Sequence, residues 1–547
     1  MQSLSSEALR QRLLANRGLK TEEEIASFLL PSYEKGRHDP FLLHDMEKAV
    51  ERVLLAIENE EKIAIYSDYD CDGIPGAVVL HDFLQAIGYN NFINYIPHRH
   101  FEGFGLNLEA LKKLKADEVD LIITIDCGTS DLEAVTEANK LGMDVIITDH
   151  HEPGENLPNA VAVVNPKVGE SYPFKELCGA GVVFKLVEAL LERGEFNIKA
   201  GQEKWWLDMV GLATLSDMVP LVGENRVLAY YGLEVLRKSR RPGLQHLFRK
   251  NRLRQRDLTE DDIGFTLAPR INAASRMDTP EDAFHMLSTK EEAEAGARVS
   301  HLEKLNNERK GVVAAMTKEI KKRVEEMTDL PAVLVLGNPA WRPALVGLTA
   351  NSLATTYNRP VFLWGRDGND VIKGSCRSDG VTSVVKLMES SADNFLEYGG
   401  HHASGGFSVK EDSIFHLGER INEAFLKLGN EAAVPSEYMP EAELKLSEIN
   451  SELLSVLREL APFGVGNEKP LFSFSKVTPL KVEQFGKTKE HLKIVFDGGT
   501  EAIAFFASPK AYKQEPKVGE SLTLLAHVEE SFFMGRRQVR LRIVDIL

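Results

Sequence analysis

The sequence predicts an α/β protein in which a mainly parallel-sheet unit is joined by a long helix to a smaller α/β unit, followed by a C-terminal antiparallel β-barrel. Three observations carry this. From Glu61 onward, short apolar runs alternate with amphipathic stretches: KIAIYSDYD, a helix through AVVLHDFLQAIG, VDLIITIDCG, a helix through LEAVTEANKLG, then MDVIITDHH. Such alternation implies βαβ units and a parallel sheet with helices on its faces. Residues 289–328 contain no proline and read as one long charged helix, a connector rather than a core element. The last hundred residues change character: LFSFSKVTPLKVEQFG, HLKIVFDG, EAIAFFAS, ESLTLLAHVEES and QVRLRIVDIL are short alternating strands between Gly, Pro and Asp turns.

Length and composition set the frame for these elements. A chain of 547 residues is long enough for several compact units. The expected boundaries are a helical segment over 1–45, the parallel-sheet unit over 46–288, the connecting helix over 289–330, the second α/β unit over 331–435 and the β-unit over 436–547. An apolar fraction of 43% and a charged fraction of 27% exclude a disordered chain. The opening MQSLSSEALRQRLLANRG lacks the apolar core of a signal peptide, and no segment offers a long uncharged apolar run. A cytoplasmic location without membrane association is expected. The four cysteines, Cys71, Cys127, Cys178 and Cys376, show no paired CxxC spacing, so neither a disulfide framework nor a zinc site is expected. Cys71 and Cys127 flank acidic positions, where small-residue packing is a simpler reading than redox sensing.

The net charge of −17 argues against a protein that coats nucleic acid by bulk electrostatics. Locally the balance reverses. The stretch RKSRRPGLQHLFRKNRLRQR, from Arg237 to Arg256, holds nine Lys or Arg and no acid. For one such run alone, a solvated surface is the simpler reading.

The acids carry the chemistry. Asp68, Asp70 and Asp72 close the first apolar run, Asp126 the second, and Asp149, His150 and His151 the third. In a parallel sheet these positions converge on the carboxyl edge, where α/β folds place ligands. Read as extended chain, DYDCD sends Asp68, Asp70 and Asp72 to one side. So many like charges at one edge are costly unless cations neutralise them. Carboxylates with one imidazole suit Mn²⁺ or Mg²⁺ better than structural zinc. Two such ions about 3.5–4 Å apart would ready a water for in-line attack on phosphorus. A lone Asp at a strand end is usually a cap and a lone HH pair usually packs, but three acidic strand ends in succession favour a metal-dependent phosphoesterase.

The segments SDYDCDG, TIDCG and ITDHHEPGENLPNAVAVVNP resemble the first three motifs of the DHH phosphoesterase family, and LATLSDMVPLVGENR resembles the fourth. HRHFEGFGL, LCGAGVVFKL, APRINAASRM, GSCRS, YGGHHASGG and LAPFGVGNEKPLF extend the resemblance to the RecJ branch, from about residue 40 to the end. The resemblance implies a DHH catalytic domain, a DHHA1 domain that clamps substrate, and a terminal OB fold. It also implies Asp70, Asp72, Asp126, His150 and Asp217 as ligands of two divalent cations, Asp72 and Asp126 bridging. Asp68 would support the ligands and their water, and His151 would face the scissile phosphate. Arg270, Asn272 and Arg276 would contact substrate phosphates, with Ser375, Arg377, Ser378 and His401 forming a pocket for a terminal phosphate.

In the terminal unit, 13 basic residues oppose 9 acidic ones from Lys469 onward. Phe485, Phe505, Phe506, Phe532 and Phe533 are candidate stacking groups. A core role is expected for Phe505 and Phe506, and Arg536, Arg537, Arg540 and Arg542 are better placed to meet a strand. Against the RecJ pattern, Arg342 and Ala344 in WRPALVG and Ser275 are departures, which bear on the clamp and not on the acids.

The implied activity is a single-stranded-DNA-specific 5′-to-3′ exonuclease that releases nucleoside 5′-monophosphates in recombination and repair. The resemblance implies a monomer, with a helicase and a single-strand-binding protein as partners that supply an unpaired end. Two alternatives are a DHH phosphodiesterase for short oligonucleotides or cyclic dinucleotides, which the terminal β-unit speaks against, and a non-catalytic DNA-binding scaffold, which the intact acids speak against.

Overall fold

The computed structural model describes residues 5–368, 370–429, 438–486, 489–533 and 536–547, with the side chains of 531–537 outside that description. The chain divides into two compact units: His38–Asp217 with Tyr231–Ser436, and Met1–Arg37 with Met218–Tyr230 and Glu437–Leu547.

The larger unit opens with five strands: β1 (Ile63–Ser67), β2 (Phe92–Tyr95), β3 (Leu121–Ile125), β4 (Asp144–Thr148) and β5 (Ala162–Val164). They pair in the order β2-β1-β3-β4-β5, all parallel. β1 and β3 are buried along their whole length, as a sheet covered on both faces requires. On one face Ala64, Tyr66, Ile122, Val145 and Ile147 pack with Ala110, Leu111, Val135 and Ala138 from the helices Leu108–Ala116 and Leu132–Lys140. The helices Gly73–Ala86 and Gly179–Arg193 pack against each other and against the sheet. All four cysteines are buried and reduced.

The long helix runs from Glu292 to Glu325. It is more than a connector. Val299, Leu302 and Leu305 are buried in its first half, while Met316, Ile320 and Val324 enter the core of the second α/β layer. That layer contains β6 (Leu334–Gly337), β7 (Val361–Arg366), β8 (Ile372–Arg377), β9 (Phe395–Gly400) and β10 (Ser404–Val409), ordered β6-β7-β8-β10-β9. Only the β6–β7 pair is parallel.

The smaller unit contains β11 (Ala442–Glu443), β12 (Leu471–Val477), β13 (Lys481–Phe485), β14 (His491–Val495), β15 (Glu501–Ala504), β16 (Leu522–Phe533) and β17 (Arg536–Ile546). The order is β11-β12-β16-β17-β15-β14-β13, largely antiparallel, with parallel pairs at β11–β12 and β15–β17. The two ends of this order do not pair among the described residues, and the seven-stranded arrangement is consistent with the expected OB-like domain. The N-terminal segment is not separate, as its sequence suggested. Leu9, Leu13 and Leu14 of the helix Ser6–Asn16 share one core with Leu457, Leu460, Phe472 and Leu524. Residues 218–230, expected in the catalytic unit, also belong here. Arg226 ties the three pieces together. Its guanidinium donates to the carbonyls of Phe28 (2.7 Å) and Leu460 (3.2 Å) and lies 3.6 Å over the Phe28 ring. An amphipathic pattern shows that a helix buries one face, but not which distant strand covers it.

Candidate active site

The ends of three adjacent strands build the site. Past each strand the ladder continues for one residue: Asp68 N donates to Ile125 O (3.0 Å), Asp126 N to Thr148 O (2.9 Å) and Asp149 N to Val164 O (3.1 Å). Three buried acids therefore stand side by side at the carboxyl edge. Asp126 adopts a left-handed φ of 63°, which Asp tolerates better than bulkier residues. Gly179 packs directly against it; a Cβ there would lie 2.5 Å from Asp126 Cβ.

DYDCD brings its acids together differently from the extended reading. β1 stops at Ser67 and the helix starts at Gly73, so Asp68–Asp72 form a strand-to-helix turn. Asp70 Oδ1 accepts from the backbone N–H of Asp72 (2.8 Å) and Gly73 (3.2 Å), an Asx-type turn. Asp72 points its carboxylate at the start of the helix Gly179–Arg193, where Gly179 N (2.6 Å) and Ala180 N (2.8 Å) donate to it. The unpaired N–H groups of a helix start stabilise a carboxylate.

The ligating atoms fall into close groups. Those of Asp68, Asp70 and Asp126 lie within 4.8 Å of one another, as do those of Asp72, His150 and Asp217, and those of Asp126, His150 and His151. His150 Nε2 stands 3.1 Å from Asp126 Oδ1, 3.7 Å from Asp72 Oδ2 and 3.8 Å from Asp217 Oδ2. Asp126 Oδ1 and Asp68 Oδ1 are nonetheless buried without a hydrogen-bond partner. Lone-pair atoms about 3 Å apart match neighbouring ligands around an ion with bonds of about 2.1 Å. The donor set, oxygen-rich with one imidazole, fits Mn²⁺ or Mg²⁺.

The electrostatics agree with this fit. Burial, then the neighbouring acids, push Asp68, Asp126 and Asp217 well above the usual carboxylate range. The same causes bring Asp72 up to about 7. Burial and the adjacent His151 pull His150 down to about 4, leaving a neutral imidazole able to ligate. Buried acids gathered at such electrostatic cost make a site suited to positive charge.

His151 is set differently. Its Nδ1 lies 2.7 Å from Asp149 Oδ1, whose partner oxygen accepts from Thr129 N at 2.9 Å. Burial opposes the charged imidazole, but the hydrogen bond and charge of Asp149 outweigh it and raise His151 above its ordinary value. Asp149 is in turn held well below the carboxylate range: burial works against this, and His151 and Thr129 more than offset it. Asn165 completes the support, donating to Thr129 Oγ1 (3.0 Å) and His151 O (2.9 Å). The sequence places Asp149 only among the converging acids and gives Thr129 and Asn165 no role, although all three fall within the quoted motifs or beside them. Phe104, of HRHFEGFGL, packs edge-on to His151 with ring centroids 5.5 Å apart.

The expected phosphate-contacting residues fare unequally. Arg276 is enclosed and pulled down to about 9 by burial and then by Arg99 and Arg309, with Asp70 acting in the opposite direction. One of its nitrogens donates to Ala344 O at 2.6 Å, so the departure at residue 344 takes part through its backbone. Asn272 Oδ1 is buried without a partner. Arg270 does not present a free fork to substrate: its Nε and a terminal nitrogen grip Glu303 (2.6 and 3.2 Å), and another donates to Thr266 O. Ser275 is fully buried, and the Arg342 guanidinium lies 4.0 Å from Met277 Sδ.

In the second layer, Ser375 and Arg377 share one face of β8. Both approach Gly347, where a Cβ would meet Arg377 at 3.0 Å and Ser375 Oγ at 3.2 Å. Ser378 Oγ instead donates to Thr382 O (2.6 Å), closing a turn, and His401 is exposed beyond β9. The structure thus brings Ser375 and Arg377 together, while Ser378 serves the loop.

In the smaller unit the expectation for Phe505 and Phe506 is overturned. Phe506 is 84% exposed at a left-handed φ of 54°, and Phe505 is 37% exposed. Phe506 N donates to His491 Nδ1 at 3.1 Å, and Arg542 lies 4.7 Å over the Phe505 ring. Arg540 and Arg542 both reach Glu529. The side chains of Phe532, Phe533, Arg536 and Arg537 lie outside the described residues.

Comparison with known proteins agrees with this architecture. The DHH family N-terminal domain matches residues 62–214, the DHHA1 domain 330–428 and the RecJ OB domain 441–545. The chain is 34% identical to the single-stranded-DNA-specific exonuclease RecJ of Bacillus subtilis, over 97% of this chain and 67% of that one. It is 31% identical to that of Escherichia coli, over 98% and 95%. The crystal structure of Thermus thermophilus RecJ in complex with Mn²⁺ superposes with a TM-score of 0.81 at 27% identity, covering 99% of this chain and 76% of that one. With its acids intact and all three domains matched in order, the chain belongs to the RecJ family of single-stranded-DNA-specific exonucleases.

Proposed function

We propose that this chain is a divalent-metal-dependent exonuclease that hydrolyses single-stranded DNA from the 5′ end and releases nucleoside 5′-monophosphates, in recombination and repair. The observation that carries the proposal is the buried group of acids around a neutral His150, with Asp68 Oδ1 and Asp126 Oδ1 lacking any hydrogen-bond partner. Asp70, Asp72, Asp126, His150 and Asp217 would hold two Mn²⁺ or Mg²⁺ ions, and Asp68 stands close enough to Asp70 and Asp126 to orient or share in that set. When bound, the pair supplies Lewis acidity and an activated water for in-line attack on phosphorus.

The chain's own residues do the rest. Asp72 is fixed by two backbone donors, which sets the ligand edge before substrate arrives. His151, whose protonated form is favoured by Asp149, would offer positive charge and a proton near the developing oxyanion or the leaving oxygen. Arg276, with Ser375 and Arg377, supplies donors to phosphate oxygens, Arg377 carrying its charge in a half-buried place. No helix of the described residues is long and apolar enough to cross a membrane. A monomer in the cytoplasm, fed by a helicase or a single-strand-binding protein, is the setting that suits an enzyme needing an unpaired end.

Digestion of end-labelled strands tests the proposal. With Mn²⁺, a 5′-phosphorylated single strand should yield mononucleotides from its 5′ end, and Asp126→Ala should be nearly inactive. Equal early release from both ends would overturn the polarity, and an inert protein under every divalent ion would overturn the enzyme.

A further inference from the structure

The basic stretch from Arg237 to Arg256 has no part in the site described so far. In the structure it includes the helix Pro242–Asn251, which lies across the long helix: His246 Nε2 sits 2.8 Å from Glu292, and Gly296 leaves room for its ring. At the helix end, Lys250 and Arg252 are exposed, and neither forms an ion pair among the described residues. The field of Lys250 reaches Glu303, which Arg270 already neutralises. Seven residues further along the same helix, about 10 Å at 1.5 Å per residue, stands Lys310, exposed and also without an ion pair.

Beside it, Arg309 has its Nε buried without a partner among the described residues and donates to Asn306 Oδ1 at 2.9 Å. Burial and then the neighbouring Arg270 pull down both Arg309 and Lys310. Arg309 in turn acts on Arg276, which feels Asp70 of the acidic cluster. Uncompensated cations thus succeed one another from the edge of the metal-ligating acids to the surface of a protein whose net charge is −17. Crowded like charges are unfavourable unless an anion joins them, and a polyanion at least several phosphates long meets that need along the whole series.

We infer that Arg309, Lys310, Lys250 and Arg252 form a cationic track that holds the phosphodiester backbone of the substrate strand several nucleotides away from the bond being cut. The inference rests on the exonuclease reading and extends it to substrate length. Arg270, locked to Glu303, serves as a fixed strut between the two halves of the track.

The test compares Lys250→Gln/Arg252→Gln and Arg309→Gln/Lys310→Gln with the unaltered protein on 5′-phosphorylated oligothymidylates of about four and about thirty nucleotides, bracketing the reach of a short and a long contact. With Mn²⁺, the ratio of kcat/KM on the long strand to that on the short one should fall about tenfold in Lys250→Gln/Arg252→Gln. The salt dependence of log KM on the long strand should flatten by about 1.4 for two lost phosphate contacts. A ratio within twofold of the unaltered protein's, or equal losses on both lengths, overturns the track. Anisotropy of the labelled long strand in EDTA reads the same contacts without catalysis: unchanged affinity and salt slope in both double variants also overturns it. An unaltered protein that cuts neither strand sinks the exonuclease reading, and the anisotropy then still decides the track.

Discussion

His151 Nδ1 lies 2.7 Å from Asp149 Oδ1, and that one contact separates the fates of two adjacent histidines. His150, whose nearest carboxylate, Asp126, is itself pushed toward the neutral form, is driven by burial and by His151 toward the neutral ring, whereas His151 is driven toward the cation. One ring is thereby suited to ligation and its neighbour to electrostatic and proton-transfer work.

Asp149→Asn should lower kcat about 10–100-fold, the usual cost of losing a partner that orients a functional side chain, while Mn²⁺ affinity changes little. Since Asp149 raises His151, the variant should also lose activity at lower pH on the basic limb of its kcat profile. A profile with an unmoved basic limb would show that His151 does not act as the cation.

Metal removal should leave a protein whose stability falls as pH rises. Asp72 goes from an ordinary 3.8 to about 7 on folding, so between these values the native state binds more protons than the unfolded one. The associated stability is fully present below about pH 4 and is lost as pH climbs through about 7. Thermal melts in EDTA over this range should show a declining midpoint, superimposed on whatever other groups contribute, and Mn²⁺ should restore most of it at the upper end. Identical EDTA and Mn²⁺ curves at pH 7.5 would contradict the shared-cation account of the cluster.

Arg226→Ala should destabilise the smaller unit by about 2–4 kcal/mol, because it strips several buried carbonyls of a charged donor. The four tryptophans, Trp205, Trp206, Trp341 and Trp364, all lie in the larger unit. Far-ultraviolet circular dichroism should therefore report an earlier transition than tryptophan fluorescence. Coincident, unshifted transitions would place the role of Arg226 elsewhere.

Phe506→Gly should leave thermal stability equal or slightly higher, since glycine adopts the left-handed conformation without a Cβ penalty. The same change should weaken single-strand binding by about 1–3 kcal/mol if a base stacks on the exposed ring. Filter binding or anisotropy checks this, and unaltered affinity would leave the ring without that role.

Much of the catalytic layer is legible in the chain itself. β1, β3 and β4 are continuous apolar runs that stop abruptly at an acid, so the strand ends and the edge they share follow from hydropathy alone. The path of DYDCD does not, because the backbone bonds of Asp70 make a turn where simple alternation gives an extended chain. Nor does the pairing of Arg270 with Glu303, 33 residues apart, which needs two helices already packed. Phe505 and Phe506 look like core residues in a strand pattern, but β15 ends at Ala504 and Phe506 takes a left-handed φ, leaving both rings exposed. The smaller unit was least legible: alternation identifies its strands, but nothing local marks the first thirty-seven residues as their partners.

The joining of Leu13 and Leu14 to Phe472 and Leu524 has a consequence for biosynthesis. The helix Ser6–Asn16 is synthesised long before β12 and β16, and its apolar face gains its partners only once they are made. Meanwhile the parallel-sheet layer, whose strands are close in sequence, is free to form. Nascent chains stalled before β12 should therefore engage chaperones through the helix Ser6–Asn16, and a fragment lacking that helix cannot represent the β11–β17 unit.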